Sequence, residues 1–172
     1  MQGKLILKTA RLELRQMLKG DLAQLKTILQ DERVMYAYAG PFSEEECKIW
    51  LFKQLGRYAI NGCGLWGMFL AGTDKMIGQC GLSLQEYRRA QVPEIAYLLA
   101  YDYWHQGYAT EAALACRDYG FNTLNCERLF SIIRDTNIAA QKVAVRNGMH
   151  KIDTIVKHYR GVDMPHYVFV TP

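Results

Sequence analysis

The chain has 172 residues, 50% of them hydrophobic, and its 21 basic and 17 acidic side chains give a formal net charge of +4. A chain of this length can bury one substantial apolar core, so we expect a single domain over residues 1–172. The basic residues form no long run, which argues against a nucleic-acid partner.

The cysteines and the amino terminus indicate the compartment. The five cysteines are odd in number and widely spaced, with no CxxC pair and no histidine at zinc-ligand spacing. This pattern is typical of reduced thiols and predicts no metal site. Residues 1–8 lack the apolar core of a signal peptide, and no run approaches the roughly 20 apolar residues of a membrane span. We therefore expect a soluble cytoplasmic protein without a membrane partner.

The first half of the chain contains clear strand and helix patterns. Ser43 and Glu46 form a capping-box pattern, which predicts the start of a helix and accounts for the acidic residues there. In chain order, the predicted elements are a half-buried strand over 11–17, a helix over 21–30, the helix that begins at Ser43, and a hairpin of strands over 65–71 and 76–86.

The second half continues with alternating strands and helices. In chain order, the predicted elements are a turn over 88–91, a strand over 94–101, a helix from Gly107 to about 121, a strand over 129–134, a helix over 137–146 and a strand over 164–170. We interpret residues 157–160, Lys-His-Tyr-Arg, as solvated loop charge. The order of elements predicts an α/β fold in which helices cover both faces of a mixed sheet.

The stretch from Glu94 to Ala113 is the most informative part of the chain. An apolar strand that carries one carboxylate, Glu94, leads into a turn at Gly107 and then into a strong helix. The first N–H groups of a helix lack internal partners and lie at the positive end of its dipole, so a polyphosphate can bind there. Gly107 would let a ligand approach the backbone closely. The pattern predicts a phosphate site beside a carboxylate, with a plain strand-to-helix turn as the alternative.

The same stretch carries a family resemblance. The residues Trp104-His105-Gln106-Gly107-Tyr108-Ala109 resemble the signature of the GNAT superfamily of acyl-CoA-dependent N-acetyltransferases, in the form that its RimJ/RimL-like branch uses. Residues 9–15 resemble the opening strand of that branch and residues 137–149 its penultimate helix, so the resemblance spans nearly the whole chain. His105 stands where the branch usually has glycine, and Ala140 where it usually has serine.

The resemblance implies both a fold and a cofactor site. The fold would be GNAT-like, with a mostly antiparallel central sheet, splayed central strands and flanking helices. The co-substrate would be acetyl-CoA, with no metal. Asn137 stands where the family places a side chain that contacts the cofactor, although asparagine is also a preferred N-cap. The backbone of Leu98, Leu99 and Ala100 would contact the pantetheine arm, and the pyrophosphate would bind Gln106, Gly107, Tyr108, Ala109 and Thr110.

Amide formation from a thioester needs a neutral amine. At pH 7, deprotonation costs about 4.6 kcal/mol for a lysine amine but only ~1.4 kcal/mol for an α-amine. Glu94 is the candidate base, because desolvation would raise its pKa and several GNAT enzymes carry their base on this strand. The alternative is that Glu94 is the polar start of a strand after Pro93. Glu111 more simply complements the helix dipole.

The acceptor site and the general acid are less defined by the sequence. No histidine or cysteine has the setting of a nucleophile, so we expect direct attack in a ternary complex. Tyr159, and after it Tyr103, are the candidates for protonating the leaving thiolate. Candidate pocket walls are the aromatic residues Tyr36, Tyr38, Phe42, Trp66, Tyr97 and Tyr159, although for each of them a place in the core is the simpler interpretation.

Three functions remain open from the sequence. The first is acetylation of a protein N-terminal α-amine, as in RimJ/RimL-like enzymes. The second is acetylation of a small amine such as a polyamine, an amino acid or an antibiotic, and an acidic pocket would favour a polycation. The third is a CoA-binding module without turnover, because Ala140 lacks the usual hydroxyl. We expect an amine acceptor as the partner and a monomer or homodimer.

Overall fold

The computed structural model describes all 172 residues, which form one eight-stranded sheet and five α-helices. The strands are β1 Leu5–Lys8, β2 Leu12–Arg15, β3 Leu65–Leu70, β4 Met76–Tyr87, β5 Ala90–Leu99, β6 Phe130–Arg134, β7 His150–Tyr159 and β8 Val162–Val170. The helices are α1 Leu22–Leu29, α2 Glu32–Met35, α3 Glu44–Asn61, α4 Tyr108–Asn122 and α5 Ile138–Arg146.

The sheet is antiparallel except at its centre. The strand order is β1-β2-β3-β4-β5-β6-β8-β7. Only β5 and β6 run parallel, and they share a single registered pair, Glu94 with Phe130. The two strands therefore diverge beyond Glu94. The expected mixed sheet with splayed central strands is confirmed.

Helices cover both faces of the sheet. Successive residues of a strand point to opposite faces, and Met68 packs into the core beneath α4 and α5 whereas Phe69 packs beneath α1 and α3. The helix α3 begins with the predicted capping box, in which Ser43 and Glu46 each accept a hydrogen bond from the other's backbone N–H. None of the five helices combines the length and the hydropathy needed to cross a bilayer.

Strand β5 begins at Ala90, earlier than the predicted start at Glu94. The turn before it is confined to Arg88 and Arg89, both in the left-handed region with φ of 49° and 62°. This is the backbone of a two-residue hairpin turn, which asparagine and glycine usually occupy. Because arginine is not typical of such a turn, the sequence did not predict that the turn is limited to two residues.

The interpretation of residues 157–160 as loop charge is wrong. Lys157 and Tyr159 lie in β7, and the turn follows at Arg160 and Gly161, with φ of 50° and 75°. Strand β7 is at the edge of the sheet, where charged side chains on the solvent face protect against further pairing. An edge strand of this kind resembles a polar loop in sequence. The short strand β1 was not predicted either.

Candidate active site

The amino terminus of α4 offers unpaired backbone donors. Its N-cap residue is Gly107, with φ of 82° and no side chain to cap the helix. The N–H groups of Tyr108, Ala109 and Thr110 belong to the first helical turn and have no backbone partner. A helix end of this kind attracts an anion.

The loop before α4 is braced by Arg11. The Nη1 atom of Arg11 donates to the Gln106 carbonyl at 2.9 Å, and its guanidinium lies over the Tyr108 ring, 4.2 Å from the centroid. Glu111 accepts from Arg11 Nε at 2.7 Å and from the Thr9 hydroxyl at 2.5 Å. Burial raises the pKa of the Glu111 carboxyl, but these hydrogen bonds outweigh burial and hold it below its ordinary value. Glu111 thus has a structural role that explains it fully.

A cavity of about 390 Å³, which we call the α4 cavity, lies between the end of β5, the start of α4 and the face of α5. Its lining includes seven of the residues expected to bind the cofactor: Leu98, Leu99, Gly107, Tyr108, Ala109, Thr110 and Asn137. Two expected residues do not line it. Ala100 uses its N–H on the Ile77 carbonyl and its own carbonyl on the Tyr103 N–H, and the Gln106 side chain turns back to the Asp102 carbonyl.

Asn137 caps α5. Its Oδ1 atom accepts from the Ala140 N–H at 3.2 Å and from the Tyr36 hydroxyl at 3.1 Å. The N-cap interpretation of Asn137 is therefore correct. Asn137 also lines the α4 cavity, so a contact with a bound cofactor would be an additional role.

Glu94 lies at the point where β5 and β6 diverge. It is only 7% exposed, and its Oε2 atom accepts from the Ile132 N–H at 2.8 Å. Nearby, the Ser131 hydroxyl donates to the Ile95 carbonyl at 2.7 Å. Burial raises the pKa of the Glu94 carboxyl, while Lys157, the Ile132 N–H and Arg57 act in the opposite direction. Glu94 is thus a buried carboxyl and not an exposed strand start.

A second cavity of about 290 Å³, the Glu94 cavity, lies between α3, β5, β6 and β7. Of the predicted aromatic walls, Tyr38, Tyr97 and Tyr159 line it. Tyr36 lines the α4 cavity instead, and Phe42 and Trp66 are buried in the core.

The two cavities share three lining residues, Tyr97, Asn137 and Ala140. At this junction the Tyr97 hydroxyl donates to the Ala140 carbonyl at 2.5 Å. A thioester held in the α4 cavity and an amine held in the Glu94 cavity would therefore meet beside Tyr97.

Comparison with known proteins identifies the family. A family model described as an acetyltransferase (GNAT) domain matches residues 11–150. The chain belongs to the GNAT superfamily. The uncharacterized protein YkkB of Bacillus subtilis (strain 168) is 36% identical to this GNAT protein over 158 residues, which cover 91% of this chain and 92% of YkkB.

Solved GNAT structures share the fold over nearly the full length of the chain. An acetyltransferase from Agrobacterium tumefaciens str. C58 is 27% identical, with a TM-score of 0.80 and coverage of 96% of this chain and 93% of that one. RimL, a ribosomal L7/L12 alpha-N-protein acetyltransferase in complex with coenzyme A, is 17% identical, with a TM-score of 0.79 and coverage of 97% of both chains.

The site fits the co-substrate of a GNAT enzyme. This chain is an acetyl-CoA-dependent N-acetyltransferase by family membership. The unpaired N–H groups at the start of α4 suit a pyrophosphate. Acetyl-CoA supplies the activated acetyl group, and the protein supplies its position and the proton transfers.

The structure also brings forward residues that the sequence did not single out for this GNAT site. Arg57 on α3 and Lys157 on β7 line the Glu94 cavity, and Tyr97 lies at the junction rather than being only a wall. One signal was available for Lys157, because its spacing of two from Tyr159 places both residues on the same face of a strand.

Proposed function

We propose that this GNAT enzyme transfers the acetyl group of acetyl-CoA directly to an α-amine at a protein N-terminus, as RimJ/RimL-like enzymes do. The observation that supports this most is the meeting of the α4 cavity and the Glu94 cavity at Tyr97, Asn137 and Ala140. A donor in one cavity and an acceptor in the other can react in one ternary complex. No acyl-enzyme is needed.

Glu94 is the general base in this proposal. The attacking nitrogen must be neutral, and a carboxylate whose pKa is raised by burial accepts a proton more readily than an exposed one. The positive side chains of Arg57 and Lys157 around the same cavity lower the pKa of an incoming ammonium by like-charge repulsion. An α-amine, which costs only ~1.4 kcal/mol to deprotonate at pH 7, suits a base of this strength.

The backbone of β5 holds and polarises the thioester. Beyond Glu94, β5 has no registered partner on its β6 side. The Leu99 carbonyl there accepts from Trp104 Nε1 at 2.8 Å, so the Leu99 N–H in the α4 cavity is the backbone group open to the pantetheine arm. Donors that are fixed in place before the reaction stabilise the developing oxyanion.

Two tyrosines divide the remaining polar roles. Tyr97 lines both cavities, so we assign it a hydrogen bond to the departing thiolate, which would replace the one that its hydroxyl donates to the Ala140 carbonyl. Tyr159 lines only the Glu94 cavity. The sequence pointed to Tyr159 as the acid, but its position on the acceptor side suits a contact with the bound amine.

A labelled-transfer assay tests this function. The full chain and its Glu94→Gln variant are incubated with labelled acetyl-CoA and a cell extract that is split into protein and small-molecule pools. We expect label at protein N-termini, located by peptide mapping, that depends on Glu94. If neither chain transfers label although both bind acetyl-CoA, the protein is a binding module without turnover.

A small-molecule amine is the second candidate acceptor. The Glu94 cavity, at about 290 Å³, is at the lower end of the size range of small-ligand sites. In the same assay, label confined to the small-molecule pool would identify this function.

We propose that residues 1–172 act as one acetyltransferase domain, as a monomer or a homodimer. Both hydrophobic cores pack against the same sheet, which supports one folding unit. Light scattering on the purified chain gives the oligomeric state.

A further inference from the structure

The Glu94 cavity is lined by an excess of positive charge. Four of its lining residues are permanently basic, and Glu94 is the only acid among them. The four, which we call the cavity cations, are Lys53 and Arg57 on α3, Arg134 on β6 and Lys157 on β7. One helix, α3, and two strands, β6 and β7, thus contribute positively charged side chains to the same cavity.

None of the cavity cations has an acidic partner. The ion pairs of the chain all involve other basic residues. Arg134 donates from Nη1 to the Tyr36 carbonyl at 3.0 Å, but its Nε atom is buried without a hydrogen-bond partner. Arg57 donates only a long hydrogen bond of 3.4 Å to Gln54. Lys53 is exposed, whereas Arg57, Arg134 and Lys157 are half-buried. Half-buried charge without an ion-pair partner is costly, so these three groups have capacity left for a ligand.

The cavity cations also repel one another. Burial lowers the pKa of the Lys53 ammonium, and the neighbouring charges of Arg57 and Lys157 lower it further. Arg57 lies on a helix and Lys157 on an edge strand, yet the charges of both lower the pKa of Lys53. A bound anion would relieve this repulsion, and a bound polycation would increase it.

We infer that the acceptor amine carries an anionic group, a carboxylate or a phosphate, which binds the cavity cations while the amine faces Glu94. The inference rests on the proposed function and narrows its substrate class. It excludes polyamines and polycationic antibiotics as the preferred acceptors. Arginine and lysine side chains recognise carboxylate and phosphate by charge-assisted hydrogen bonds.

Matched acceptors test the inference. With saturating acetyl-CoA, kcat/KM is measured for the peptide amides Ser-Glu-Ala, Ser-Gln-Ala and Ser-Lys-Ala. It is also measured for glutamate against glutamine, for O-phosphoserine against serine, and for spermidine. Within each set that the enzyme acetylates, we expect kcat/KM for the anionic acceptor to exceed that for its neutral counterpart by about tenfold or more. The cationic acceptors should have the lowest kcat/KM. The set that turns over distinguishes a peptide terminus from a free metabolite.

Substitution of the cations provides the second arm. Lys157→Gln, alone and with Lys53→Gln, is expected to raise KM for the anionic acceptor about tenfold while the Kd for acetyl-CoA stays constant. Lys75→Gln, an exposed lysine outside both cavities, is the control. A preference for neutral or cationic acceptors, or an anionic preference that the double variant retains in full, overturns the inference but not the function. Absence of turnover with every acceptor overturns the proposed function itself.

Discussion

Glu94 combines an observed structural role with the chemical role that we propose for it. Its carboxylate accepts the Ile132 N–H, which would otherwise lack a partner where the two central strands separate. The same carboxylate lies at the wall of the Glu94 cavity. The separation of β5 and β6 therefore accounts both for the opening in the sheet and for the position of the Glu94 carboxylate beside it.

Glu94→Gln is expected to lower kcat/KM by roughly 10²- to 10⁴-fold, the usual contribution of a general base. It should also alter the pH dependence of stability. Folding raises the pKa of Glu94, so the stability that its protonated form contributes is complete at acid pH and is lost as pH rises through the raised pKa. Each tenfold difference in proton affinity corresponds to about 1.4 kcal/mol.

Thermal melts of the two chains across pH measure this effect. The Tm of Glu94→Gln relative to the wild type should increase from acid to alkaline pH. A difference in Tm that stays flat with pH would show that the carboxyl does not titrate abnormally.

The roles proposed for Tyr97 and Tyr159 should be distinguishable by kinetics. Tyr97→Phe removes the hydroxyl that lies where both cavities meet, so we expect kcat to fall with little change in acceptor KM. Tyr159→Phe should mainly raise acceptor KM. Steady-state kinetics with both substrates varied distinguishes them, and the reverse pattern would return the role of acid to Tyr159.

His105 carries backbone strain that glycine would remove. Its φ is 59°, in the left-handed region that costs a non-glycine residue roughly 1–2 kcal/mol. His105→Gly should therefore raise Tm by roughly 2–4 °C. Gly107→Ala is the matched opposite, because φ there is 82° and the added Cβ would approach Arg11 at 3.4 Å, so its Tm should fall. Equal shifts in both variants would contradict this account.

At the scale of elements, the turn between β1 and β2 is tied to the start of α4 by Glu111. One carboxylate accepts from the Thr9 hydroxyl, the Arg11 N–H and Arg11 Nε. Arg11 in turn holds the Gln106 carbonyl. The loop before α4, which we propose to bind phosphate, is thus positioned by residues roughly a hundred positions earlier in the chain.

Glu111→Ala tests this connection. Loss of three accepted hydrogen bonds at a partly exposed site should cost about 1 kcal/mol of unfolding free energy, and the loosened loop should raise the Kd for acetyl-CoA several-fold. Glu127 is an exposed carboxylate that accepts no such hydrogen bonds. Its substitution Glu127→Ala should change neither the free energy of unfolding nor the Kd for acetyl-CoA. Denaturant unfolding and calorimetric titration provide the two readouts. An unchanged Kd would show that the Glu111 contacts with Thr9 and Arg11 do not influence how the loop before α4 binds acetyl-CoA.

Sequence patterns that extend over a few residues predicted the helices and strands. The other residues of the candidate site are brought together by strand pairing and helix packing between distant parts of the chain. The capping box at Ser43 and the glycine before α4 act within a few residues, so sequence alone located the starts of both helices. Arg57 and Lys157 become neighbours of Glu94 only because α3 lies across the sheet and β7 pairs with β8 beside β6. No pattern along the chain encodes that proximity.

At the scale of the whole molecule, the sheet consists of two antiparallel parts joined at one registered pair. Strands β1 to β5 form one part, and β6, β8 and β7 form the other. In the proposed function the donor occupies the α4 cavity, which is lined by the end of β5 and by α4 and α5, and α4 is the helix that connects the two parts. Its binding should therefore stabilise the chain as a unit.

Acetyl-CoA at a hundredfold excess over its Kd should stabilise the native state by about 2.7 kcal/mol and raise Tm by roughly 5–10 °C. S-acetylpantetheine, which lacks the pyrophosphate, should give a much smaller rise at the same concentration, because the N–H groups of α4 then have no anion to bind. Differential scanning fluorimetry measures both. Equal shifts for the two ligands would place the main donor contacts away from α4.

The small overlap between the two cavities has a consequence for how such a protein can diverge. Only Tyr97, Asn137 and Ala140 belong to both. With the donor and acceptor sites that we propose, substitutions on β7 or α3 would alter which amine is accepted without disturbing the binding of the thioester. Lineages that descend from this chain could exchange one acceptor for another through a few changes in an edge strand. Each intermediate along such a path would keep a working donor site.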